Sequence, residues 1–251
     1  MPRFTPFRLA AACTLALSLS LVLATGASAA GFKAELRVVG SGGKALVEKP
    51  IATATTEVNT SPKAECFGKG SGGSGDPVTI KGNTAMGLLG RASKLVASLR
   101  PLLISDSFDF GLALCGIGKS VAKGSSSWYL KINHKSLSVG GDVAKIHAGD
   151  EVLYALATTE APDYKYPEEL VLTGPNTAKA GAPFTVRVFS YDEKGKSKPQ
   201  AGVKVTGASA PTGADGRTTV TLAKPAKLIA TAAGEIPSAR EPVCIGGKCP
   251  K

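Results

Sequence analysis

Apolar Trp128, Leu130 and Ile132 alternate with Tyr129, Lys131 and Asn133 in "WYLKIN", the period of a strand with one buried and one wet face. Val152, Tyr154 and Leu156 repeat that alternation in "DEVLYALA". Earlier, "FKAELRVVGSGGKALVEKPIATATTEV" sets two extended runs around a Ser-Gly-Gly turn and predicts a hairpin. A further extended run is "FDFGLALCGIG". Only one stretch changes period. Ala85, Leu88, Leu89, Ala92, Val96 and Leu99 recur at helical spacing in "NTAMGLLGRASKLVASLRP", with Asn83 or Thr84 as the cap and Pro101 as the stop. Hairpin, helix and further strands predict an α+β domain over residues 33–160, one helix lying on a small mixed sheet.

The pattern changes again at "EAPDYKYPEE", whose prolines and charges place a boundary near residue 165. Beyond it, "ELVLTGP", "PFTVRVFSY", "GVKVTGA", "GRTTVTLA" and "KLIATAA" are short strands at regular intervals, separated by the turn chemistry of "DEKGKSKP" and "PTGADGR". No helical period occurs in this half. Residues 168–246 therefore predict an all-β sandwich of immunoglobulin-like type, with residues 247–251 as a tail.

Residues 1–29 add an address. Arg3 and Arg8 precede an apolar run from Leu9 to Leu23, and Ala27-Ser28-Ala29 supplies a small-residue cleavage site, the layout of a Sec-type signal peptide. No later run approaches the roughly 20 apolar residues that span a bilayer, so the mature chain is expected to be secreted. Losing Arg3 and Arg8 lowers the formal charge from +11 to +9. Such a surface attracts anionic cell-envelope polymers weakly. No basic stripe with interleaved aromatics points to nucleic acid. Cys13 lies in the signal, which leaves Cys66, Cys115, Cys244 and Cys249. An even count in an exported chain predicts disulfides. The Gly-Gly of "CIGGKC" can bring Cys244 to Cys249, and Cys66 then pairs with Cys115.

Candidate chemistry is sparse. The two histidines, His134 and His147, both lie in "KINHKSLSVGGDVAKIH", at a spacing that fits no helical or hairpin metal pair. No nucleophile elbow or zinc-protease motif accompanies them. Gly70, Gly72 and Gly75 match a dinucleotide fingerprint in spacing only, because Asp76-Pro77 follows where a helix must begin. Neither a cofactor nor a metal is expected.

The stretch "SSSWYLKINHKSLSVGGDVAKIHAGDEVLYALA" resembles the transcobalamin-like C-terminal domain family, with Trp128, Asn133, Gly140, Gly141, Gly149 and Asp150 at the matching places. The resemblance extends to "CFGKGSGGSG" and "SDSFDFGLALCGIG" and to secreted actinobacterial proteins with a second β domain. It implies a β-grasp-like fold for the first domain. In transcobalamins such a domain holds a corrinoid against a helical barrel, which this chain lacks. The usual Asn-Gly turn is Asn133-His134 here, so His134 occupies a turn position.

Two functions follow as expectations. One is a secreted, non-catalytic interaction or structural protein of the cell surface or extracellular matrix. The alternative is a small-molecule, corrinoid-like binding protein that uses the first domain, with Trp128, Tyr129 and His134 as ligand contacts. Enzyme activity is not expected.

Overall fold

The computed structural model describes residues 31–159 and 162–251. The expected signal peptide lies outside them. β1 (Lys33–Val39) and β2 (Ala45–Ala52) form the antiparallel hairpin that the Ser-Gly-Gly turn predicts. β3 (Thr56–Asn59) pairs with β4 (Pro77–Ile80) as a separate ribbon. After α1 (Ala85–Leu95), β5 (Leu102–Phe108), β6 (Gly111–Ile117) and β7 (Ser120–Val121) make a three-stranded meander. β8 (Ser126–Ile132), β9 (Lys135–Ser136) and β10 (Glu151–Thr158) then complete the largest sheet, ordered β2-β1-β10-β8-β9. Within it β1 and β10 run parallel.

α1 starts where Thr84 caps it, its hydroxyl accepting the Gly87 N–H at 3.1 Å. The helix ends at Leu95, earlier than the periodicity to Leu99 predicts. Val96 is extended, and the tight turn Ala97–Leu99 carries Leu99 into the core instead. Ala85, Leu88, Leu89 and Ala92 pack against Leu36, Val38, Val152 and Tyr154 of the large sheet. Each fully buried aliphatic side chain contributes about 1.5–3 kcal/mol. Trp128, Leu130 and Ile132 lean on the same cluster, half-buried.

The second half contains β11 (Glu169–Thr173), β12 (Thr177–Ala178), β13 (Pro183–Tyr191), β14 (Ser197–Pro199), β15 (Lys204–Val205), β16 (Arg217–Thr221), β17 (Ala226–Leu228), β18 (Ala230–Thr231) and β19 (Glu241–Ile245). β13 is central to one sheet, flanked by β11 and β16, with β14 also pairing on it. A second sheet has the order β12-β19-β17, and β15 pairs with β18. Leu170, Val186, Val188 and Val220 from the first meet Leu228, Val243 and Ile245 from the second in one apolar core. Val186 and Val188 point in while Arg187 lies over the Phe189 ring outside, the alternation legible in "FTVRVFSY".

Both disulfides are the expected ones. Cys244 joins Cys249 across Gly246 and Gly247, whose φ values of 56° and 77° suit glycine. Cys66 joins Cys115 of β6. Among the described residues no helix is long and apolar enough to cross a membrane.

The expected class needs correction. Strand takes up 44% of the structure and helix 8%, so the protein is mostly β, with a β-sandwich-like fold, and not an α+β chain of β-grasp-like and immunoglobulin-like parts. The cause lies in Thr56–Ile80 and Leu102–Val121. These stretches read as loop or as single runs, yet they pair into two additional sheets and leave α1 a minority element.

A second correction concerns the face of β8 expected to be wet. Gly31–Lys251 packs as one compact unit. Tyr129, Leu153, Ala155 and Ala157 on that face are covered by Ile236 and Tyr166. Both faces of β8 are therefore occupied.

Candidate functional site

The most complete candidate is a cleft of about 480 Å³ beside Trp128, lined by apolar side chains and by serines. Leu130, Met86 and Tyr154 form its interior, and Gly140 and Gly141 border it. Gly141 has to be glycine here, since a Cβ would stand 2.5 Å from the Tyr154 hydroxyl. At the rim Phe67, Phe110 and Val139 are 63%, 66% and 51% exposed, unusual for side chains of that size unless something covers them. Phe108 holds the two phenylalanines together, edge-on to Phe67 at 5.2 Å and stacked on Phe110 at 4.8 Å. The Cys66–Cys115 disulfide fixes the residue next to Phe67 against β6.

The lining is mixed, with Ser125, Ser126, Ser127, Ser136 and Thr159 beside the apolar side chains, and two of its buried polar atoms stand out. Trp128 Nε1 and the Tyr154 hydroxyl are buried and have no hydrogen-bond partner among the described residues. A buried polar group without a partner costs about 1–3 kcal/mol. Tyr154 is a neutral donor throughout the ordinary pH range, because burial, and then the charge of Asp142, push its phenol far up. Trp128 Nε1 is a donor only. Two donors without partners thus lie in the cleft's wall.

Tyr129, the second stacking candidate, borders the cleft. Its ring, however, is stacked on Tyr166 at 4.2 Å, and burial pushes its phenol up to about 12. The structure assigns the ring to packing against Tyr166, which borders the same cleft.

His134 belongs to a different region. Asn133 and His134, with φ of 50° and 68°, form the two-residue turn between β8 and β9. Behind it lies a buried charge cluster. Glu169 of β11 is paired with Arg37 of β1, with Lys131 of β8 at 3.2 Å and with His134 Nδ1 at 3.2 Å. Lys131 also donates to the Tyr191 carbonyl at 3.2 Å, and Arg37 to the Pro237 carbonyl at 2.7 Å. Burial favours a neutral Glu169, but His134, Arg37 and Lys131 together hold its carboxyl below the ordinary value. The same contact raises His134. Burial lowers Lys131 against the opposing pull of Glu169.

One donor atom each from His134, Glu151 and Glu169 lie within 4.8 Å of one another, a spacing open to a metal ion. The neighbours argue otherwise. Arg37 and Lys131 already neutralise these carboxylates, and a dication there would sit against two buried cations. His147 takes no part; it is exposed and its backbone N–H bonds Asp150 at 2.7 Å. The two histidines serve separate turns.

Phe67, Phe110, Val139 and Tyr154 were not singled out by sequence reasoning as site residues. The available signal was two phenylalanines beside the glycines of "CFGKG" and "FDFG", where nothing requires an aromatic for turn formation. Compared with known protein families, curated proteins and solved structures, the chain matches none.

Proposed function

We propose that this is a secreted, non-catalytic binding protein and that the cleft beside Trp128 is its ligand site. The observation that carries the reading is the pair of unpartnered donors, Trp128 Nε1 and the Tyr154 hydroxyl, on residues lining a cleft with exposed aromatics at its rim. Its volume of about 480 Å³ is within the range of roughly 300–1,000 Å³ typical of ligand pockets. Two disulfides suit an oxidising, extracytoplasmic setting.

Trp128 is the only tryptophan in the chain, so its fluorescence reports on the cleft without background. Titrating the mature protein with neutral amphipathic compounds, a corrinoid among them, should shift that emission and raise the melting temperature for those that bind. Trp128→Phe and Tyr154→Phe should weaken the melting shift. Binding that raises the melting temperature while leaving Trp128 emission unmoved would place the ligand elsewhere and defeat the reading.

A further inference from the structure

We propose that the occupant of this cleft is an extended, uncharged peptide segment that adds to the free edge of β8 as a strand. The inference rests on reading the cleft as the ligand site. Six consecutive residues, Ser125 to Leu130, line it. Side chains along a strand alternate between faces, so a face contributes every second residue, whereas an unbroken run is contributed by an edge. The opposite wall repeats the observation, with Leu112, Ala113 and Leu114 of β6 in succession.

The pairing agrees. β10 covers one edge of β8 from Ser126 to Ile132, while β9 covers the other only at Lys131 and Ile132. Among the described residues no strand pairs with the second edge between Ser126 and Leu130. Hydrogen bonds at both ends set the parity. The Asn133 N–H donates to the Glu151 carbonyl at 2.9 Å and the Thr159 N–H to the Ser125 carbonyl at 3.1 Å, so odd-numbered residues face β10. Backbone groups of an antiparallel strand alternate in direction, which turns those of Trp128 and Leu130 outward. The Ser126 N–H is already bonded to the Lys123 carbonyl at 3.0 Å. A strand laid along this edge is the occupant whose backbone matches its wall.

Length and charge narrow the partner. Ser126–Leu130 is about 17 Å at roughly 3.4 Å per residue, enough for a segment of about five residues. Among the described residues no charged side chain lines the cleft, although the whole chain has a net charge of +11. A Lys or Glu inside would be desolvated without a counter-charge, so the segment is neutral. The donors of Trp128 and Tyr154 call for an acceptor side chain, a carboxamide or hydroxyl, at one of its positions.

The test uses blocked six-residue peptides of alternating valine and glutamine, followed by Trp128 fluorescence on the mature protein. Each is also made with backbone N-methyl groups on alternate residues, in both parities. Binding of the parent, with at least a tenfold loss for one methylation parity and little for the other, is expected. Hydrogen exchange at the Leu130 amide should slow in the complex. Peptide binding indifferent to both parities overturns strand addition and leaves the ligand-site reading standing. Nile red binding without peptide binding overturns the peptide as occupant. A Trp128 shift that follows self-association in sedimentation, with no peptide effect, assigns the edge to a second copy and overturns the proposal. No response to peptide, Nile red or other neutral amphiphiles overturns both readings.

Discussion

β8 carries two unlike regions three residues apart. On one side Trp128 faces a cleft in which donors lack partners and aromatics lie exposed. On the other, Lys131 is buried among Glu169, Arg37 and His134, and its charge is answered. The contrast separates two uses of buried polarity. Ion-paired charges hold β1, β8 and β11 in register, because moving any one exposes the others to a low-dielectric interior, although Arg37 Nε makes no hydrogen bond among the described residues. Donors without partners, beside open volume, are complete only when something enters. The first region is a fastening and the second a vacancy, and the differences between them are measurable.

The largest effect belongs to the fastening. Glu169→Ala leaves Arg37 and Lys131 buried without their shared carboxylate and should cost roughly 3–5 kcal/mol in denaturant unfolding. Replacing all three by apolar residues of similar volume should recover most of that loss, since the desolvation penalty disappears with the charges. Trp128 fluorescence in response to cleft ligands should survive in the triple variant. If the single variant costs less than about 1 kcal/mol, the cluster is not the buried fastening described here.

Next come the disulfides. Cys66–Cys115 closes a loop spanning 49 positions and restricts the unfolded chain by about 4 kcal/mol on the loop-entropy model, against about 2 kcal/mol for Cys244–Cys249, which spans 5. Cys115→Ser should therefore lower the melting temperature more than Cys249→Ser. It should also weaken cleft binding, because the bond anchors the chain beside Phe67. Equal melting losses would break the ranking, and unchanged binding would detach the disulfide from the cleft.

These two regions also show how far the sequence was readable. Trp128, Leu130 and Ile132 were correctly placed toward the helix-bearing core by alternation alone. The same alternation misplaced Tyr129 and Lys131. A lysine opposite an apolar face reads as solvent-facing, and its partner Glu169 is far along the chain, on a segment that local periodicity gives no reason to bring near. The paired cysteines and the Asn133-His134 turn were legible because count, glycine positions and turn length are local properties. The cleft was not, although Trp128 was suspected. Its walls are strand edges, and an edge is defined by which strand fails to pair there, a matter of register that no residue announces.

A smaller effect concerns pH. His134 has its pKa raised above the ordinary 6.5 by Glu169, so its stabilising contribution is complete below about that value and disappears as pH rises through the folded value. Glu235 acts in the same direction over a lower window. Burial, and then Glu168, push its carboxyl from 4.5 up to about 7, so stability present below pH 4.5 falls away as pH approaches and passes 7. Unfolding free energies measured from pH 4 to 9 should decline across both windows. Glu235→Gln should remove the earlier part and His134→Gln the later part. A decline above pH 6.5 that persists unchanged in His134→Gln would take the histidine out of the fastening.

The smallest effect on folding is the most informative about the vacancy. Tyr154 is 2% exposed, and its hydroxyl has no partner among the described residues. Removing a satisfied buried hydroxyl ordinarily destabilises by about 1 kcal/mol, whereas removing an unsatisfied one relieves a desolvation cost and leaves a close-fitting ring in place. Tyr154→Phe should accordingly leave stability unchanged or raise it by up to about 1 kcal/mol. If the hydroxyl serves an incoming acceptor, the same variant should bind cleft ligands about tenfold more weakly, the loss of one hydrogen bond worth about 1.4 kcal/mol. The sign difference is the discriminator: a residue whose polar atom serves the fold loses stability on this change, and one whose polar atom serves a ligand loses affinity. Clear destabilisation with unaltered binding would move Tyr154 from the vacancy to the core.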